Sequence, residues 1–106
     1  MRVVATRGYE RRARKLFSTA ERAAAELEIA LAPMAWPVAG TGGARKARAA
    51  RGGRGKSGGA RIIYYAMTRR GTLYLLDVYA KSAKEDLTDA EKREIRNLIA
   101  ALEAEG

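Results

Sequence analysis

Lys46 and Arg48 stand either side of a single alanine, Arg61 opens one apolar run, and Lys81 closes another. Residues two apart on an extended strand share a face, so Lys46 and Arg48 can hold one anion from the same side. Guanidinium groups bind phosphate oxygens bidentately. Of these four cations, all but Lys81 belong to a wider basic interval. No acid occurs between Glu28 and Asp77, whereas Arg45, Lys46, Arg48, Arg51, Arg54, Lys56, Arg61, Arg69 and Arg70 all lie there. The formal net charge of the chain is +9, so these nine cations account for the whole excess; the other Lys and Arg are matched by Asp and Glu. Such a stretch suits a polyanion, because a phosphate backbone releases condensed counterions when cations replace them. A merely solvated basic face is the bland alternative, and the lack of any interleaved acid weakens it.

Composition narrows the chemistry. At 106 residues the chain makes a single domain, residues 1–106, and 47% apolar residues suit a folded one. There is no cysteine, which removes disulfides, thiolate metal sites and a thiol nucleophile. There is no histidine, so the commonest general base and zinc ligand are missing. Catalysis must draw on Lys, Arg, Tyr, Ser or carboxylates, and no metal or cofactor is expected. No apolar run approaches the ~20 residues that span a bilayer. The stretch Met1–Thr6 lacks the apolar core of a signal peptide. A cytoplasmic location and no membrane partner are the expectations.

The elements that must position the cations follow from periodicity. Val3–Ala5 reads as a short strand. Tyr9, Ala13, Leu16 and Phe17 recur at helical spacing over residues 9–17. Ser18 and Glu21 form a capping-box pattern that opens a second helix, with Ala20, Ala23, Leu27, Ala30 and Leu31 on its stripe and Pro33 ending it. Two helices joined so closely suggest a helical hairpin. Residues 34–43 connect, with Trp36 read as a buried aromatic plug. Strands are expected over 44–50, 61–67 and 72–80, separated by a glycine-rich turn at 51–59 and a tight turn at Arg69-Arg70-Gly71. Thr88 and Glu91 repeat the capping-box pattern before the stripe Ile95, Leu98, Ile99 and Leu102. The order β-α-α-β-β-β-α indicates an α+β domain, a small antiparallel sheet with helices packed on one face.

Strict alternation then assigns faces. Ile62, Tyr64 and Ala66 join Tyr74, Leu76, Val78 and Ala80 beneath the helices. Lys46, Arg48, Arg61, Tyr65, Tyr79 and Lys81 converge on the open side, where phenol rings can stack bases. Arg45, Arg54 and Lys56 are further substrate-binding candidates. Two glycine motifs fail on context. Gly55-Lys56-Ser57 lacks the leading glycine of a phosphate-binding loop, which is Ala50 here. Gly53-x-Gly55-x-x-Gly58 matches a dinucleotide fingerprint, but a strand follows it rather than a helix.

Three blocks, G-T-G-G-A-R-K-A-R (40–48), G-R-G-K-S-G-G-A-R-I-I-Y-Y (53–65) and L-Y-L-L-D-V-Y-A-K-S-A-K-E-D-L-T (73–88), resemble in order the RelE/ParE superfamily of type II toxins, in its HigB-like and RelE-like branch. The resemblance implies a ribosome-dependent mRNA endonuclease, an mRNA interferase that inhibits translation. The 70S ribosome and mRNA are then its targets, and a cognate antitoxin silences it. It also implies that Lys46, Arg48, Arg61 and Lys81 are the catalytic cations. This chain departs from relatives that carry an aromatic or histidine near the C-terminus, since no aromatic follows Tyr79. RNA brings its own nucleophile, the 2′-hydroxyl. Arg61 would stabilise the phosphorane. Neighbouring cations favour the neutral form of an amine, which makes Lys46 or Lys81 the candidate base, with Tyr65 or Tyr79 stacking a base. Competing readings are a ParE-like inhibitor of DNA gyrase and a non-catalytic RNA- or ribosome-binding module. Membrane-surface binding is the weakest, since the cations lie in a β region rather than on an amphipathic helix.

Overall fold

The computed structural model describes residues 1–53, 55 and 58–105. Its elements are β1 (Arg2–Ala5), α1 (Arg7–Leu16), α2 (Thr19–Leu31), β2 (Arg45–Ala49), β3 (Ala60–Met67), β4 (Thr72–Ala80) and α3 (Asp89–Glu105). The chain is α+β in the expected element order. Side-chain caps start each helix where the sequence supplies an acceptor. Thr6 accepts from the Tyr9 amide at 3.2 Å, so α1 begins two residues earlier than periodicity suggested. Ser18 with Glu21, and Thr88 with Glu91, form reciprocal boxes at 2.8 and 3.1 Å each.

The four strands run in the order β1-β4-β3-β2. β2, β3 and β4 form the expected antiparallel meander. β1 lies parallel to β4, so the sheet is mixed rather than wholly antiparallel. The chain leaves β1 through the helical pair and returns at β2, which leaves β1 free to pair at the far edge. There the Arg2 amide donates to Gly71 O at 2.8 Å and the Thr6 amide to Leu75 O at 3.0 Å.

Helices cover both faces of the sheet, which corrects the one-faced packing expected from alternation. Tyr9, Ala13, Phe17, Ala25 and Ile29 of the helical pair pack on Ile62, Tyr64, Leu73, Leu75 and Val78. Ile95 and Ile99 of α3 pack with Leu87 on Ile63, Leu76 and Tyr79 of the opposite face. The cause is a break in β4. Ile63 pairs with Asp77 but Tyr64 with Leu75, so Leu76 faces no residue across the ladder. One extra residue in a strand flips the phase of everything beyond it. Leu73 and Leu75 therefore share a face with Val78, while Tyr74 and Leu76 join Tyr79 on the other.

A partly exposed ionic knot holds α1 to α2. The Arg22 guanidinium donates to Glu26 Oε2 at 2.7 Å and to both oxygens of Glu10 at 2.8 and 3.1 Å, and lies 5.2 Å above the Tyr9 ring. Tyr9, fully buried, donates its hydroxyl to Glu26 at 2.8 Å. Burial first, and then Glu26, push that phenol well above its ordinary range. Where β2 meets β3 the backbones nearly touch: a Cβ on Gly59 would sit 2.1 Å from Ala49 O, so only glycine fits.

Two-faced packing makes a direct prediction. Ile62 and Ile63 are neighbours with no exposed surface, one in each core. Ile62→Ala and Ile63→Ala should each lower unfolding free energy by about 2–5 kcal/mol. Urea titration checks this; a cost below about 1 kcal/mol at Ile63 would mean that its face is not packed.

Candidate active site

Lys46 and Arg48 of β2 and Arg61 of β3 share a cleft to which α3 contributes no lining residue. On β2, Ala47 packs towards the helical pair, which turns Lys46 and Arg48 to the α3 side. Cross-strand register sets Arg48 opposite Arg61, and Arg61 opposite Tyr79 on β4. Lys81 follows β4 directly, and its amide donates to Gly59 O at 3.1 Å, which ties it back beside the β3 start. The result is a cleft of about 430 Å³ lined by Trp36, Lys46, Arg48, Arg61, Lys81 and Glu85. All four cations expected to be catalytic are brought together. They come from two strands and the residue after a third, with sequence separations of up to thirty-five positions.

The cations differ in freedom. Arg61 is buried, 5% exposed, and its guanidinium donates to Ala60 O at 3.0 Å. Arg48 is exposed, with its guanidinium 5.8 Å above the Trp36 ring. Lys46 Nζ is 3.7 Å from Asp86 Oδ1. Lys81 is exposed and has no ion-pair partner among the described residues. Glu85 is the single acid lining the cleft. A phosphodiester fits this set: one fixed guanidinium at the bottom, mobile cations at the rim, and a carboxylate able to take a proton.

The remaining expected residues do not join them. Tyr79 is not a stacking surface: it is 6% exposed and packs against Leu87 and Ile95. Lys84, ion-paired to Glu91, caps its ring at 5.0 Å. Tyr65 is half-buried at the other end of the α3 face, with its hydroxyl donating to Glu103. Both rings lie on the face of Arg61, as alternation gave, but α3 covers that face. Arg45 donates to Met34 O at 2.5 Å and holds the loop before β2 rather than a substrate. Arg54 and Lys56 lie outside the described residues. Conversely, Trp36 is not a core plug; it is 63% exposed at the cleft rim. Its position in a proline-flanked loop gave no periodicity by which to find it. Glu85 sits in a charged turn with no spacing to mark it. A larger, shallower groove of about 820 Å³ draws its charged residues from α1 alone, with no cross-strand convergence.

Two comparisons bear on this geometry. The family profile described as the RelE toxin of the RelE / RelB toxin-antitoxin system matches residues 1–105. A structure of a double mutant of the E. coli toxin RelE in the free state superposes with a TM-score of 0.62 at 17% identity, covering 88% of this chain and 94% of that one. At that identity the superposition speaks for the fold alone.

The packing opposite Arg61 can be tested through Tyr79. Among the described residues its hydroxyl has no hydrogen-bond partner. Burial, and then Asp86, push this phenol up to about 12, with Arg61 opposing. The folded protein holds the proton more tightly than the unfolded chain does. Its contribution is therefore intact below about pH 10 and lost as pH rises towards about 12. Tyr79→Phe should match or exceed wild-type stability at neutral pH. Its denaturation midpoint should also fall less than that of wild type across the alkaline window, as followed by circular dichroism.

Proposed function

The chain belongs to the RelE toxin family, and from that premise we propose that it is an endoribonuclease that cuts mRNA on the 70S ribosome and so stops translation. The family name pairs the toxin with an antitoxin, so a cognate antitoxin is its restraining partner. No helix among the described residues is long and apolar enough to cross a membrane, and the targets proposed here lie in the cytoplasm. The observation that carries this reading is the meeting of Lys46, Arg48, Arg61 and Lys81 in one cleft.

The step is a transesterification. The 2′-oxygen attacks the adjacent phosphorus, a new P–O2′ bond forms, and the P–O5′ bond breaks opposite it. The products are a 2′,3′-cyclic phosphate and a 5′-hydroxyl. The phosphorane carries more negative charge than the diester, so a guanidinium already fixed in place favours it over the ground state. Arg61 fills that role, with Arg48 and Lys81 holding the flanking phosphates. One proton leaves O2′ and another reaches O5′. Lys46 and Lys81 are candidates for both transfers. Glu85 adds a third acceptor. A carboxylate accepts a proton from its ordinary ionised form, whereas an ammonium must first lose one. We therefore assign the 2′-proton to Glu85 and the 5′-proton to Lys46, whose ammonium Asp86 supports.

Purified protein should cleave mRNA on programmed ribosomes and leave 5′-hydroxyl ends, as 5′-end mapping reads them. Arg61→Ala should lower kcat by about 10²–10³, and Arg61→Lys should lower it less. A thermal melt confirms folding, since Arg61 is buried. Glu85→Gln should cost at least about 10² in kcat if it is the base; a change within a few fold returns that role to the lysines. Tight ribosome binding without cleavage products would leave a binding module in place of the nuclease.

A further inference from the structure

Trp36 is the least expected residue at the cleft. Its backbone is left-handed at φ +54, a conformation that L side chains rarely adopt, and it alone does so among the described non-glycine residues. The loop is nevertheless pinned. Trp36 O accepts from the Lys46 amide at 2.9 Å. Ala35 O accepts from the Tyr64 hydroxyl at 3.2 Å, and Met34 O from Arg45 at 2.5 Å. These bonds anchor the strained segment to β2 and β3, yet the indole joins neither core and stays 63% exposed. Strain held by its surroundings to present a side chain to solvent is the mark of a functional surface.

What the ring faces identifies its ligand. Trp36 lines the cationic cleft beside Lys46, Arg61 and Lys81. It also lines a groove of about 350 Å³ with Ile29, Ala32, Ala47 and Tyr64, and with one acid, Glu28. Arg48, above the ring, borders both. An anion site and a largely apolar groove sharing one indole match a nucleotide, with its phosphate on the cations and its base on the ring. We propose that Trp36 is a stacking platform for an unpaired nucleobase of the RNA whose phosphate occupies the cleft. This deepens the RNA-cleaving reading and rests on it. A nucleotide is favoured over a protein partner because four cations converge on one anion site beside the ring, as phosphate recognition requires.

Trp36 is the sole tryptophan, so its emission reports stacking directly. The probe is a non-cleavable 2′-O-methyl RNA hexamer, compared with the same hexamer carrying abasic positions. Anisotropy of a label on each hexamer measures binding separately. Stacking predicts strong quenching by the first hexamer and little by the abasic one. Binding with unchanged emission, or no binding by either, overturns the proposal. On programmed ribosomes, Trp36→Ala should raise KM and lower kcat/KM about 5- to 100-fold, while Trp36→Phe stays within about threefold of wild type. Abasic substitution in the message beside the cut site should erase that difference. If it does not, the base comes from the ribosome's own RNA. A Trp36→Ala protein that cleaves like wild type sinks the platform and spares the nuclease, as does one that loses only antitoxin binding. Base-dependent quenching without cleavage spares the platform and sinks the nuclease.

Discussion

One unpaired residue, Leu76, sets the phase of the sheet. β3 alternates without interruption, sending Ala60, Ile62 and Tyr64 towards the helical pair and Ile63 away. β4 does not, because Ile63 and Tyr64 span three residues of their partner strand. Without that break, Leu73 and Leu75 would lie opposite in phase to Val78, and neither face would be apolar along its whole length. With it, two continuous apolar surfaces form, each needing its own cover. The pair α1 and α2 supplies one, and α3 supplies the other. Beyond the break, Tyr79 lies beneath α3 with Arg61 directly opposite it across the ladder, at the bottom of the cleft.

Charge is segregated by the same architecture. The acids of α1 and α2 are engaged close to home, Glu10 and Glu26 by Arg22, and Glu21 by its cap and the Gly52 amide. Burial opposes the Arg22 charge, but its two carboxylates prevail and hold its guanidinium firmly protonated. The acids of the 84–91 turn are partly committed too: Glu91 pairs with Lys84, and Asp86 lies near Lys46. The cleft therefore keeps its excess positive charge. Self-repulsion of this kind destabilises the compact state, and two packed cores on a four-stranded sheet offset it. An incoming phosphate relieves the repulsion, so electrostatics draw the ligand towards the place where the chain is least content without it.

Much of this was legible in the sequence because the signals were local. Ser18 with Glu21 and Thr88 with Glu91 announce their helices by chemistry that acts within four residues. Lys46, Arg48 and Arg61 could be grouped because the acid-free interval and the resembling blocks pointed at the same strands, and Lys81 joined them through the third block alone. Tyr74 and Leu76 were assigned the wrong face for a definite reason. A bulge is a property of a pair of strands, and nothing within L-Y-L-L-D-V-Y says which residue will lack a partner. Counting by twos kept Tyr74 and Leu76 in phase with Val78, whereas the real phase puts them on the opposite face. Tyr65 and Tyr79 stay on the face of Arg61, and α3 covers them there. The stripe on α3 was equally plain, but a stripe says only that a helix has an apolar side, not which face of a sheet it will cover. Trp36 illustrates the converse: aromatic residues favour the interior, and a loop that spends its hydrogen bonds on exposing one has no sequence signature.

The burial of Arg61 is the feature that most needs a functional reason. Desolvating a guanidinium is costly, and replacing a buried charge with an apolar residue is often neutral or stabilising. Ile62 and Ile63 beside it show that this strand accommodates apolar side chains readily. What burial gives in return is immobility. Arg48 and Lys81, exposed at the rim, must be ordered when a ligand arrives, which costs side-chain entropy. Arg61, held between Arg48 and Tyr79 by register and donating to its neighbour's carbonyl, is already in place. A fixed dipole or charge stabilises a transition state without reorganising at the moment of reaction, and its effect grows where water is excluded. A purely binding surface gains little from such a residue, since mobile cations capture a polyanion well enough. The buried arginine therefore argues for chemistry at this cleft over simple adhesion.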